Sequence, residues 1–304
     1  MADKDITEKT LESCNDVFAD IMNVYLFHGR QQIEEQELEN AQPKSYYKAD
    51  GKLREQERDV AKYWRKSKLK IALLGIENQT ESDRSMPLRV IGYDGAAYRN
   101  QIKSGSRTGK KSKRRRKRRK RYYPVITVVL SFDYKKRWKG PLNLVDCLDH
   151  VTEELRPYIN DYHVNLFEIP FLTREQVELF QSDFKVVADY FVQMRENNNY
   201  IPSKDTLRHV QEVFELMSVV AGDERFTEAY SEEGSVTNMC EFLDRVEARG
   251  EARGEARGKA IGEARGIIKG TVATCRKFGM AEDGILKEIM EQFQLEEQEA
   301  LAYL

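Results

Sequence analysis

Long apolar runs are missing from this chain of 304 residues. The longest, "YPVITVVLSF" at 123–132, is about half the ~20 residues that a membrane-spanning helix requires, so no membrane helix is expected. The start, "MADKDITEKT", is charged and lacks an apolar segment, which predicts no secretory signal. Cysteine is scarce: Cys14, Cys147, Cys240 and Cys275 are scattered, with no CxxC pair. Such spacing argues against a disulfide framework or a zinc cluster and fits a reducing cytosol. The four histidines are equally dispersed, so a His-based metal site has no local support.

Charge is present in both signs but is unevenly placed. The formal net charge is −1, yet thirteen of the nineteen residues from Lys103 to Arg121 are Lys or Arg and none is acidic. With those thirteen set aside, 37 basic face 51 acidic residues, a balance of −14. A concentrated cationic segment on an acidic body suggests a polyanionic partner. Thirteen like charges cannot fold on one another, so the segment is expected to be disordered when free. The residues proposed to meet phosphate are Lys110, Lys111, Lys113, Arg114, Arg115, Arg116, Lys117, Arg118, Arg119, Lys120 and Arg121. They would neutralise phosphates without reading sequence. A localisation-like basic cluster and an inert solvated insertion are the competing readings.

Periodicity orders the rest. Residues 7–29 carry apolar side chains at helical spacing and stop at Gly29. A polar stretch with "ADGKL" as a turn follows, and then "RDVAKYWRKSKLKIALLGIENQ" reads as two strands joined by a short basic turn. "MPLRVIGYDGAAYRNQI" reads as a helix opened by Pro87, "YYPVITVVLSF" as a β-branched strand, and "HVNLFEI" as another. From about Thr173 to Val246 the pattern is helical throughout. The order predicts an α/β core with a helical extension.

Residues 247–270 are a low-complexity tract with glycine at every fourth position from 250 to 270. On a helix its (i, i+4) neighbours are mostly Glu with Glu and Arg with Arg, which is destabilising. Each glycine costs roughly a further 1 kcal/mol against alanine. A helix here would need a partner, another copy of the chain being the expected one, and a flexible linker is the alternative. The tail after it reads as two or three short helices.

The candidate site sits where a buried strand ends. In "KIALLGIENQT", Glu77 and Gln79 are two apart and share a strand face, while Asn78 points the other way. If the two strands pair as a hairpin, Asp59 in "ERDVAKYW" converges on Glu77. Two carboxylates with backbone carbonyls and water suit a hard divalent ion, and such an ion can activate water against a phosphodiester. The bland reading is an exposed strand end with a buried polar pair.

Asp, then a hairpin, then Glu-x-Gln, with a helix on either side, resembles the PD-(D/E)XK nuclease superfamily. The chain is most similar to its recombination-promoting nuclease (Rpn, YhgA-like transposase) branch. The matching stretches are "NDVFADIMNVYLF", "RDVAKYW", "GIENQTESDRSMPLRVIGYDGAAYRNQ", "YYPVITVVLSF" and "WKGPLNLVDCL", and the Glu/Arg/Gly tract before a short helical tail also recurs there. The resemblance implies a restriction-endonuclease-like core, a central mixed sheet flanked by helices. It also implies a metal-dependent DNA endonuclease acting in recombination, mobile elements or defence, in a bacterial cytoplasm. Asp59 and Glu77 would hold Mg²⁺ or another divalent ion, Gln79 takes the place usually held by Lys, and Asp16 matches a further acid of the site. Arg89 and Tyr93 match recurring positions, Tyr93 equally well in a packing role. The expected division is a nuclease-like core over 1–170 with the basic insertion at 103–121, a helical extension over 171–246, the repeat at 247–270 and a helical tail over 271–304. The insertion is expected on the active-site side of the sheet. The alternative function is a non-catalytic DNA-binding or assembly protein that retains the nuclease fold.

Overall fold

The computed structural model describes residues 11–41, 44–49, 52–104, 121–221, 226 and 237–304. The first helix, α1 (Asn15–Phe27), buries Val17, Phe18, Ile21 and Met22. Strands β1 (Leu38–Asn40), β2 (Lys44–Ala49), β3 (Lys52–Glu57), β4 (Val60–Lys66) and β5 (Leu69–Gln79) follow, then α2 (Met86–Ser104), β6 (Val125–Ser131) and β7 (Asn165–Glu168). The helices after the last strand are α3 (Arg174–Val177), α4 (Phe184–Asn197), α5 (Val210–Ala221), α6 (Met239–Lys277), α7 (Glu282–Phe293) and α8 (Glu297–Leu301). This is an α/β fold with a helical C-terminal region, as the element order predicts.

A five-stranded mixed sheet, in the order β1-β4-β5-β6-β7, forms the core. β4 and β5 are antiparallel, with Val60 opposite Ile76, and a two-residue turn joins them with Ser67 at φ 54°. β5 and β6 are parallel, with Gly75 opposite Thr127 and Gln79 opposite Ser131. β2 and β3 pair separately as a two-stranded sheet. Their residues, "KSYYKA" and "KLREQE", are mostly polar, so apolar alternation gave no sign of strands around the turn.

The faces of β5 are covered differently. Leu73 packs with Ala97 of α2, Val125 and Ala61. From β4, the fully buried Lys62 points the other way and donates to Ser13 O (2.7 Å), Asn15 Oδ1 (2.7 Å) and Asn40 Oδ1 (2.6 Å). Burial without a carboxylate partner lowers its amine to about 8. Three acceptors satisfy its three donors, so this lysine ties the entry of α1 to the sheet.

The parallel pairing of β5 and β6 fixes where the stem of the basic run stands. A parallel neighbour requires the chain to travel back along the sheet first, and α2 makes that return. Near the far end of α2, Gln101 Nε2 donates to Tyr123 O and Tyr123 N–H donates to Gln101 Oε1, both at 3.1 Å. The stem of the run therefore stands at the end of the sheet away from Glu77 and Gln79, and the expected place of the insertion on the active-site side falls on residues outside those described. Arg121 is exposed at that stem, and the expected phosphate contacts from Lys110 to Lys120 lie outside the described residues.

Residues up to Glu241 and residues Phe242–Leu304 form two compact units. The repeat 247–270 is helical, inside the 39-residue α6. In the second unit, Ile268, Val272, Ile285, Ile289 and Ala300 make a small core. Among the described residues no helix is long and apolar enough to cross a membrane.

Candidate active site

β5 delivers Glu77 to the face covered by α2. The side chain is only 2% exposed. Its Oε1 accepts from Arg89 Nη2 and, at 3.3 Å, from Tyr93 Oη, one helical turn apart on α2. Asn78 points the other way, and its Nδ2 donates to Glu12 Oε2 at 2.7 Å. Gln79, two residues beyond Glu77, shares the Glu77 face and is half-buried.

Asp59 lies one residue before β4, whose first residue faces Ile76. It is therefore level with Glu77, and its Oδ2 accepts the backbone N–H of Asn78 at 2.6 Å. The hairpin thus brings together the two acids that the sequence pairs. Burial first, and then the Asp59 charge, push the Glu77 carboxyl up to about 8, against the opposing pull of Arg89. Glu77 Oε2 is buried and has no hydrogen-bond partner. Burial, together with the Glu77 charge, raises Tyr93 to about 12, so it remains a phenol donor.

Arg89 is shared. Its Nη1 donates to Asp83 Oδ2 at 2.9 Å. Burial works against its charge, but Glu77 and Asp83 hold the guanidinium protonated more firmly than usual. Behind it lies a second buried pair, Arg58 with Asp94. Asp94 also accepts from Thr127 Oγ1 at 2.7 Å and from the Tyr162 hydroxyl. The Arg58 guanidinium sits 5.6 Å from the centre of the Tyr93 ring. Gly75 makes room for the stem of Arg58: a Cβ there would lie 2.9 Å from Arg58 Cδ. Glu77, Arg89, Tyr93 and Arg58 thus form one closely packed, charged layer between β5 and α2.

Asp16 is not brought to this layer. His209 Nε2 lies 3.0 and 2.9 Å from its two oxygens, and Arg208 Nη1 donates to Oδ2 at 3.1 Å. Partial burial disfavours its charge, but the His209 bond and the Arg208 charge outweigh that and lower its carboxyl. Beside it, one ligand atom each from Cys14, His209 and Glu212 lie within 4.8 Å of one another, a group that could hold a metal ion. Sequence dispersion concealed this group, because Cys14 and His209 are 195 positions apart.

A mixed sheet whose central strand ends in a glutamate–glutamine pair beside an aspartate defines an α/β protein with a carboxylate site. Residues 19–224 match the family described as "Putative transposase, YhgA-like", and the chain belongs to that family. Placement in the PD-(D/E)XK superfamily is consistent with it. The matched span includes Asp59, Glu77, Gln79, Arg89 and Tyr93, and excludes Asp16. No curated protein and no solved structure matches the chain.

Proposed function

We propose that this protein is a metal-dependent endonuclease that hydrolyses DNA phosphodiester bonds, with Asp59 and Glu77 holding Mg²⁺ or another divalent ion. The observation that carries the proposal is Glu77 Oε2, buried, without a donor, beside a second carboxylate. A buried carboxylate oxygen with no partner is costly, and a hard cation between two carboxylates removes that cost. The donor set therefore fits the ion. When bound, such an ion polarises the phosphodiester and lowers the pKa of a water molecule.

The other roles follow from the side chains. Glu77 gives up its proton when it becomes a ligand. Tyr93 stays protonated and keeps Glu77 Oε1 in place with Arg89. Gln79 offers an amide in place of the usual ammonium, so it can orient a water by hydrogen bonds without adding charge. The family description as a transposase supports DNA as the substrate and a role in recombination, mobile elements or defence.

The test is plasmid nicking with Mg²⁺ by the wild type, Asp59→Asn and Glu77→Ala. Activity in the wild type and its loss in both variants is expected. Equal activity in all three would remove the site. DNA binding by an inactive wild type would favour a non-catalytic binding protein that retains the fold.

A further inference from the structure

We propose that Cys14, His209 and Glu212 form a second metal site, for a borderline ion of the Zn²⁺ class, with Asp16 as the positioning residue for His209. The site is independent of the Asp59–Glu77 pair and does not rest on nuclease activity.

Both sides of the site are held by the fold. Cys14 has an extended backbone (φ −66°, ψ 131°) just before α1. Its two neighbours are pinned by Lys62, which donates to Ser13 O and Asn15 Oδ1. Across from it, the Asp183 carboxylate accepts the backbone N–H groups of Arg208 (2.8 Å) and His209 (2.6 Å). His209 O accepts from Val213 N–H at 2.9 Å, so the residue opens α5, and Glu212 stands in the first turn of that helix.

The separation of the sulfur and nitrogen donors suits a tetrahedral ion, and the Glu212 oxygen lies within 4.8 Å of both. Cys14 Sγ lies 3.6 Å from His209 Nδ1. Zn–S and Zn–N bonds of about 2.3 and 2.05 Å at a tetrahedral angle give a separation of about 3.5 Å. The hydrogen bonds from Nε2 to Asp16 place the ring proton on that nitrogen, which turns the Nδ1 lone pair toward Cys14. A carboxylate behind a ligating histidine, fixing its tautomer and angle, is the usual outer support of such sites.

The chemistry of the set sorts the ion. Sulfur, imidazole nitrogen and one carboxylate oxygen favour Zn²⁺ or a similar ion over the oxygen-seeking Mg²⁺. Binding replaces the thiol proton with a metal–sulfur bond, and the proton leaves to solvent. Thiolate and carboxylate then balance the 2+ charge, while Arg208 offsets Asp16. Three protein ligands leave the fourth position to water. The ion would clip the entry of α1 to the start of α5, closing a loop of nearly two hundred residues.

Titration of the full chain with Co²⁺ tests this. One thiolate-bound Co²⁺ per chain is expected, read from a near-ultraviolet thiolate-to-cobalt band that Zn²⁺ displaces and that excess Mg²⁺, filling the Asp59–Glu77 pair, leaves in place. The band should vanish in Cys14→Ser and persist in Glu77→Gln. Asp16→Asn should keep the band but weaken the affinity about 10–100-fold. No band in the wild type, or a band that survives Cys14→Ser, overturns the site, and an unchanged affinity in Asp16→Asn overturns the role of Asp16. Should Cys14→Ser fail to fold, Zn²⁺ protection of Cys14 against alkylation in the wild type decides the matter, since equal labelling with and without Zn²⁺ also overturns it.

Discussion

Glu77→Gln separates the cost of the buried carboxylate from its use. In the folded protein the Glu77 carboxyl keeps its proton to about pH 8, against an ordinary 4.5. Its contribution to stability is therefore full below about pH 4.5 and is lost as pH rises toward 8. Each pH unit inside that window is worth about 1.36 kcal/mol, so the whole effect is roughly 5 kcal/mol. Between about pH 5.5 and about pH 7.5 the wild type should lose roughly 2–3 kcal/mol from this group. Glutamine keeps an oxygen for Arg89 and Tyr93 but cannot ionise, so the variant should lack that loss. The assay is urea unfolding of both proteins at the two pH values in EDTA. Titrating groups remote from Glu77 are common to both proteins and cancel in the comparison, while Asp59 titrates together with Glu77, so the difference reports the pair. Equal pH dependence in the two proteins would refute the reasoning. Mg²⁺ should then stabilise the wild type more at the higher pH, because the ligand is the ionised form.

Other perturbations test the surroundings. Gly75→Ala places a Cβ 2.9 Å from Arg58 Cδ, whose guanidinium is tied to Asp94, and should destabilise the protein by about 1–3 kcal/mol in denaturant unfolding. An unchanged midpoint would mean that Arg58 moves freely. Deleting residues 110–121 should weaken DNA binding and flatten its salt dependence, by a log–log slope of about 5 if six phosphates are met. The stem closed by Gln101 and Tyr123 should leave the melting of the core unchanged, and an identical slope in a salt titration would assign the run no role in binding. Replacing Gly254, Gly258 and Gly262 with alanine should raise helicity, since their Cβ atoms would meet nothing within 4 Å in the single chain. If the glycine row packs against a second copy, the same change should lower the sedimenting mass, and an unaltered mass would exclude that packing.

Local features were legible in the order of the residues. An apolar run marked β5 and a β-branched run β6, period and Pro87 marked α2, and the two-residue spacing of Glu77 and Gln79 placed them on one face. Asp59 was within reach because a short hairpin brings residues less than twenty apart level with each other. The resemblance picked out Arg89 and Tyr93, whose helical spacing carries both to Glu77. The polar β2–β3 hairpin escaped because its side chains lack the apolar alternation that marks a half-buried strand. For residues 247–270, like-charged neighbours and glycines set helix against linker, and the balance could not be read locally.

The long-range neighbours were set by how the elements pack. The parallel register of β5 and β6 sends α2 back along the sheet and carries the stem of the basic run away from Glu77. The packing of α5 beside the start of α1 gives Asp16 to His209 and Arg208, and joins Cys14, His209 and Glu212 across nearly two hundred residues. Periodicity reports which face a residue occupies, but not which distant face it meets. That choice is made when the elements pack, by the fit of buried surfaces and by buried polar groups such as Lys62 and Asp94, each of which must find its partners.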